Sequence, residues 1–314
     1  MNILGNLLRP FFGVPDELTA FRGEDKEAGL RLKTVVDTVT QGCQLTLQHP
    51  RFQTLVKQLN TFDEELLGFA YEGAGVGLAA LDCCLPWGNR VRAFLDGPGS
   101  QQYYAVYLGA GMGLARLRRK PEPFLKRLDP VLGWLILDGF GFHEGFFSAR
   151  HALKEQLVPR HLSLFGRSVF DHGLGRSIWF TSGTNGGRVT ELIAAFPESR
   201  RADLWSGVGL ACGYSGGAER AVIQAVRELA GTYAPHLAMG AAIAANARHT
   251  GGIPSPYVEM ACEILCGTSS KAASDMAQDA RQNLSPTGGE PAYQIWRQRL
   301  VDAFVARLTE GTSR

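Results

Sequence analysis

The stretch Tyr71–Leu81, YEGAGVGLAAL, returns at Tyr107–Leu117 as YLGAGMGLARL, with eight of eleven positions identical. Such a recurrence marks a repeated structural unit. Small residues spaced along an otherwise apolar segment suit a seam where two helices approach closely, and fainter copies follow. They are His143-Glu144-Gly145, Asp171-His172-Gly173-Leu174-Gly175, Trp205-Ser206-Gly207-Val208-Gly209-Leu210 and Met239-Gly240-Ala241-Ala242. With Gly73, Gly109, Gly145, Gly173, Gly207 and Gly240 as anchors, the steps are 36, 36, 28, 34 and 33 residues. A period of roughly 34 residues is that of stacked helical pairs.

The same glycines invite a second reading as a phosphate-binding loop. That fingerprint is G-x-G-x-x-G after a strand, with an acid about 20 residues on. In GAGVG and GAGMG the third glycine comes one residue early, and Leu66–Tyr71 has helical rather than strand character. The seam is the better reading, although each glycine inside a helix costs roughly 1 kcal/mol against alanine. Close helix approach has to return that energy.

Around the seam, apolar residues recur at helical spacing. Leu30, Leu32, Val35, Val36, Val39, Cys43 and Leu47 form one stripe, and Phe52, Leu55, Val56 and Leu59 a second. Pro50 is read as a first-turn proline and Pro86 as a helix stop. Shorter helices are expected at Asn89–Leu95, Phe124–Leu128, Arg188–Phe196 and Ala218–Leu229, alternating with the seam helices. Leu157–His161 interrupts the period, and the array is expected to bend or change unit there. Gly251-Gly252 reads as a stop, followed by helices over Tyr257–Leu265, Ser269–Asn283 and Pro291–Leu308. The expected architecture is a single all-α domain, a solenoid-like stack of helical hairpins. It has a lead-in over 1–62, repeats over 63–252 and a cap over 253–314.

The bulk numbers narrow the function classes. With 32 Lys+Arg against 30 Asp+Glu the net charge is +2, so no global field recruits nucleic acid. The six cysteines are scattered without CxxC pairs and suit a reduced, cytoplasmic chain; Cys262 and Cys266, four apart, read as core. No unbroken run of about 18 apolar residues occurs, so no transmembrane segment is expected. The apolar start, broken by Pro10, Gly13 and Pro15, does not read as a signal peptide, and its Phe11, Phe12 and Val14 are expected to pack on the body, the alternative being contact with a membrane surface or a partner.

Chemistry, if present, lies beside the glycines. The residues preceding the six anchors are Glu72, Leu108, Glu144, His172, Ser206 and Met239, one longitudinal row in a regular stack. His143, Glu144, Asp171 and His172 are the candidate acid–base or metal-binding set, with Arg176 as electrostatic support. They match no spaced metal motif, and a satisfied structural role is the competing reading. Glu72, Trp134, Phe142, Phe146 and Phe147 are candidates for walling an apolar substrate pocket, alongside Phe140. No cofactor motif is present; metal and cofactor stay open. Arg116, Arg118, Arg119 and Lys120 form a basic run after the second seam, read either as a solvated helix end or as an anion or partner site.

Five ordered motifs carry a resemblance: YEGAGVGLAALD (71–82), LDGFGFHEGFF (137–147), FDHGLGRSIWF (170–180), RRADLWSGVGLACGYSGG (200–217) and EPAYQIWRQRL (290–300). Together they resemble the UnbL-like proteins of the enediyne polyketide cassette, from about Phe21 to Leu300. The resemblance implies an accessory protein acting with other cassette proteins as a linear polyene becomes the enediyne core, and brings no established catalytic residues. Its expected ligand is an apolar polyene-derived intermediate. The alternative is a non-catalytic scaffold docking partner proteins through a concave repeat surface. The seam also loosely resembles a tetratricopeptide unit through Tyr71/Gly75, Tyr107/Gly111 and Trp205/Gly209, but the second-helix aromatic is missing.

Overall fold

The computed structural model describes residues 3–19, 25–49, 51–85, 88–284 and 291–312; Pro50 and Pro86 lie outside them. Among the described residues every regular element is helical. Seven long helices form an ordered row: α1 (Lys26–Gln48), α2 (Glu64–Cys84), α3 (Tyr103–Arg116), α4 (Leu135–Phe147), α5 (Leu164–Thr181), α6 (Glu198–Ser215) and α7 (Ala234–Thr250). Each packs on the next. Short helices connect them at Phe52–Leu59, Arg90–Leu95, Glu122–Leu125, Gly186–Ala194 and Arg220–Ala230. Between α4 and α5 the connecting helix is replaced by a single π-helical turn, Arg150–Lys154, just before Leu157–His161.

The glycines are where the backbones touch. A Cβ added at Gly109 would lie 1.7 Å from the Glu72 carbonyl oxygen, and one at Gly75 would lie 2.2 Å from that of Val106. Gly109 meets Glu72 while Gly113 meets Val76, so contacts advance by four residues on both helices and α2 and α3 run in the same direction. The pattern repeats with Gly139 on Leu108, Gly173 on Asp138, Gly207 on His172 and Gly240 on Ser206. The second glycine of each G-x-G faces forward instead: Gly111 meets Ile136, Gly141 meets Phe170, Gly175 meets Leu204 and Gly209 meets Leu237. Each motif therefore seats two neighbouring helices at once, and the packing contacts offset the helix propensity the glycines forgo.

This geometry corrects the register of the third unit. Its anchor is Gly139, not Gly145, whose added Cβ would strike the Ser177 side chain instead of a helix backbone. The steps become 36, 30, 34, 34 and 33, and the residue at that row position is Asp138 in place of Glu144.

The row curls back on itself. Phe69 of α2 packs edge-on against Tyr214 of α6, with ring centroids 5.1 Å apart. Arg248 of α7 donates to the Glu65 and Tyr214 carbonyls. Gln102, just before α3, donates to the Gly251 carbonyl. The inner side of the row is thus filled by side chains. Helices Pro256–Leu265, Ser270–Ala280 and Ala292–Thr312 close the far end, and Trp296 donates through Nε1 to the Ala277 carbonyl at 2.8 Å. At the near end, Phe12 is buried and Phe11 exposed, and Arg116 clasps this segment by donating to the Phe11 and Gly13 carbonyls.

Helix α2 is long and apolar enough to cross a membrane by length and composition, but 83% of the window concerned is buried inside the fold. Cys43, Cys212, Cys262 and Cys266 are buried free thiols, and the last two donate to the Ala241 and Ala238 carbonyls as packed core groups.

Candidate functional site

Two polar centres emerge from the candidate residues. The first is the row beside the glycines, read in its corrected register. His172 Nδ1 lies 2.6 Å from Ser206 Oγ, and its Nε2 is 3.6 Å from Asp138 Oδ2. Arg176, one turn further along α5, donates to Asp138 at 3.0 Å and reaches Glu72 at 3.5 Å. Tyr104 contacts Asp138 at 3.4 Å. From the C-terminal helix Arg297 donates to Asp203 at 2.7 Å and to Ser206 at 3.3 Å.

All of these groups except Asp203 are deeply buried, so desolvation dominates their protonation. Burial pushes the Glu72 carboxyl above its ordinary range, with the Arg176 charge opposing it. Asp138 is raised for the same reason, again opposed by Arg176. Burial works against the Arg176 charge as well, but Asp138 and Glu72 outweigh it and hold the guanidinium protonated. Two carboxyls thus share one guanidinium, Asp138 at the shorter distance.

His172 is driven well below the usual imidazole range, first by burial and then by the Arg297 and Arg176 charges. A histidine held neutral in the fold contributes stability above its unfolded value of about 6.5 and loses it as pH falls through that value, because only the unfolded chain then takes the proton. Between about pH 7 and 5.5 the native protein should therefore lose roughly 1 kcal/mol more stability than the His172→Asn variant. Urea melts of both proteins at the two pH values check this; parallel losses would contradict it.

The second centre is His143 and Glu144, with Nδ1 to Oε1 at 3.3 Å. Burial lowers the His143 pKa, while the Glu144 contact opposes the shift, leaving a neutral ring. Its Nε2 is buried without a hydrogen-bond partner. His143 and Phe147 are adjacent rings, 4.6 Å between centroids, and Arg116 covers the other ring of the pair with its guanidinium 4.7 Å from the Phe147 centroid.

The four sequence candidates His143, Glu144, Asp171 and His172 therefore do not converge. Asp171 lies apart, held by two Arg200 nitrogens at 2.5 and 2.8 Å, with burial raising its carboxyl to about 6 against the pull of Arg200. His172 belongs to the buried row, whereas Arg176 and Glu72 face a cavity. Trp134 precedes α4 in a 3-10 turn and packs on Phe165, 4.5 Å between centroids, away from the other aromatic candidates.

Phe142, Phe146 and Phe147 do come together. With Phe180, Phe69 and Met112 they wall an apolar crevice floored by Glu72 and Arg176, the Arg176 guanidinium lying 4.9 Å over the Phe142 ring. Its free space is about 40 Å³, and it shares Val14, Val39, Thr40, Met112 and Phe147 as lining with a second space of similar size beside His143. Phe12, Gly13 and Val14 roof this second part. Among the described residues no cluster of three or more His, Cys, Asp or Glu could hold a metal ion.

Asp138, Tyr104, Asp203 and Arg297 in the row, and Phe69, Phe180, Met112 and Val39 in the crevice, are among the contributors that sequence reasoning missed. Asp138 was within reach, because Asp138-Gly139-Phe140-Gly141 has the same G-x-G form as the other units.

Fold and site together define an all-helical protein, with consecutive parallel helices seated on G-x-G contacts around a buried charged row and an adjoining aromatic crevice. The chain belongs to the DUF1702 family of proteins of unknown function, which it matches over residues 14–304. No curated protein and no solved structure matches it.

Proposed function

We propose that the protein holds an apolar, polyene-derived chain in the Phe142/Phe146/Phe180 crevice, as an accessory protein of enediyne-type polyketide biosynthesis. We further read the ordered helical row as a solenoid-like repeat that has curled to make this crevice. The observation that carries the reading is an apolar lining converging on one polar floor, Glu72 and Arg176, the general composition of a small-molecule site. The biosynthetic setting rests on the five-motif resemblance. The scaffold alternative has less support, because Phe69, Tyr104 and Tyr214 pack together on the inner side of the row.

A space of about 40 Å³ takes water, not a polyene. Occupancy therefore requires the Phe12–Val14 segment to move off Met112, Phe147 and Val39, which it covers. Arg116 holds that segment through two backbone carbonyls, contacts that cost little to break at an exposed site. Once a chain is seated, His143 offers a neutral imidazole whose free Nε2 can accept a proton while Glu144 steadies Nδ1. Glu72, its carboxyl raised by burial, lines the neighbouring space and is the group read as proton donor there. This arrangement suits a proton shift along a conjugated chain, which needs no net oxidant or reductant.

A conjugated tetraene fatty acid tests the binding step, because its fluorescence rises in an apolar site. Saturable binding to the native protein is expected, and Val39→Trp, which fills the crevice from a half-buried position, should weaken it about tenfold. Equal affinity of Val39→Trp and the native protein, with both folded by circular dichroism, would place the ligand elsewhere.

A further inference from the structure

Outside the crevice, at the C-terminal end of α3, lies an open bowl of about 490 Å³ lined by Arg116, Arg118, Arg119, His143, Phe147 and His161, among others. It shares Arg116, His143 and Phe147 with the roofed space of the crevice, so bowl and crevice meet at these three side chains. Three guanidinium-bearing residues face one lining carboxylate, Glu144, which is engaged with His143. Arg118 and Arg119 are exposed, and neither has a carboxylate within 4.0 Å among the described residues.

Basic residues at a helix C-terminus ordinarily serve the helix dipole. Two observations go further here. Arg118 occupies a left-handed backbone position, φ 53°, at the cap of α3, where glycine is the usual residue. The fold thus keeps a guanidinium where a smaller residue would relieve strain, a condition often met at functional positions. The other is the buried, unpartnered Nε2 of His143 on the wall between bowl and crevice, an unsatisfied polar atom of a kind that native folds seldom leave.

We propose that the bowl receives the anionic head of a single-chain amphiphile whose apolar part enters the crevice. The head is a carboxylate or a phosphate-bearing group, bound by Arg118 and Arg119, and the bond following it passes His143. This rests on the crevice reading above and adds to it the polarity and direction of the ligand. Guanidinium groups suit both head types because their paired N–H donors match carboxylate and phosphate oxygens.

Three probes with one tetraene chain separate the possibilities: the free acid, its coenzyme A thioester and its neutral alcohol. At low salt, at least one anionic probe should bind the native protein about fivefold more tightly than the alcohol, the scale expected for exposed charge contacts. In Arg118→Gly/Arg119→Gln that preference should vanish while alcohol affinity stays unchanged, and Arg118→Gly alone should keep or raise the melting temperature by relieving the left-handed strain. Preference for the thioester assigns a phosphate-bearing head, and preference for the acid a carboxylate. Equal binding of all three probes by the native protein overturns the head-group proposal and leaves the crevice reading intact, as does an equal loss for all three in the variant. Failure of every probe, the alcohol included, overturns the crevice reading and this proposal with it.

Discussion

Gly109→Ala destabilises the protein by about 3 kcal/mol or more, at the upper end of the overpacking range. The added methyl group would lie 1.7 Å from the Glu72 carbonyl oxygen and 2.7 Å from its carbon, both backbone atoms that no side-chain rotation can remove. To make room, α2 and α3 must separate, which breaks the seating of Gly113 on Val76 and of Gly75 on Val106 along the same interface. The gain in helix propensity, about 1 kcal/mol, is far too small to compensate. Gly187→Ala is the matched control: it lies near the start of a short connecting helix, with only the Asn185 side chain nearby at 3.4 Å, so the same substitution should be neutral or stabilising. Urea melts of the two variants decide the matter. A Gly109→Ala protein as stable as the native one would refute close backbone packing at the seam.

Arg176→Met costs about 3 to 5 kcal/mol at neutral pH, because it leaves Asp138 and Glu72 buried without a counter-charge. Methionine keeps much of the apolar stem against Phe142, so lost packing accounts for little of this. The loss should shrink as pH falls. Without the guanidinium both carboxyls rise further, and in acid they are neutral in folded and unfolded chains alike, so their burial penalty disappears. Arg176→Met combined with Glu72→Gln and Asp138→Asn should recover much of the stability at neutral pH. A triple variant no more stable than Arg176→Met would show that the charge balance is not what the arginine provides.

The seam was legible from sequence because it depends on one residue type at a fixed period, and only glycine permits backbones to meet at these distances. The third unit misled because its helix carries Gly139, Gly141 and Gly145, and Gly145 preserves an even step of 36 whereas Gly139 gives 30. Spacing cannot reveal that the links before α3 and α4 are equal in length and that the step falls because α3 ends at Arg116, seven residues past Gly109, and α4 starts at Leu135, four before Gly139. That one slip hid Asp138 and promoted Glu144 into a row where it has no place. Once the register is corrected, the adjacency expected along the row is met by His172 beside both Asp138 and Ser206.

The crevice was half legible. Phe142, Phe146 and Phe147 are dense in one segment, but Phe180, Met112 and Val39 arrive from three other helices, and nothing local marks them as partners. Arg297, about 90 residues from Asp203 and Ser206, depends wholly on how the C-terminal helix docks. The separation of Asp171 from its neighbour His172 follows from helix geometry, since adjacent residues on a helix point to different sides. Asp171 turns to Arg200 while His172 turns to the row.

Occupancy of the crevice between α1, α2, α3, α4 and α5 by an apolar chain is the step on which the proposed function depends. Photolabelling with a fatty acid carrying a diazirine near its methyl end, followed by mass mapping of the modified peptides, tests it most directly. Labels are expected on Val39, Met112, Phe146 and Phe180, suppressed by excess unlabelled acid and by Val39→Trp. Labels confined to exposed apolar side chains such as Leu30, Leu157 and Leu164, unaffected by competition, would contradict it.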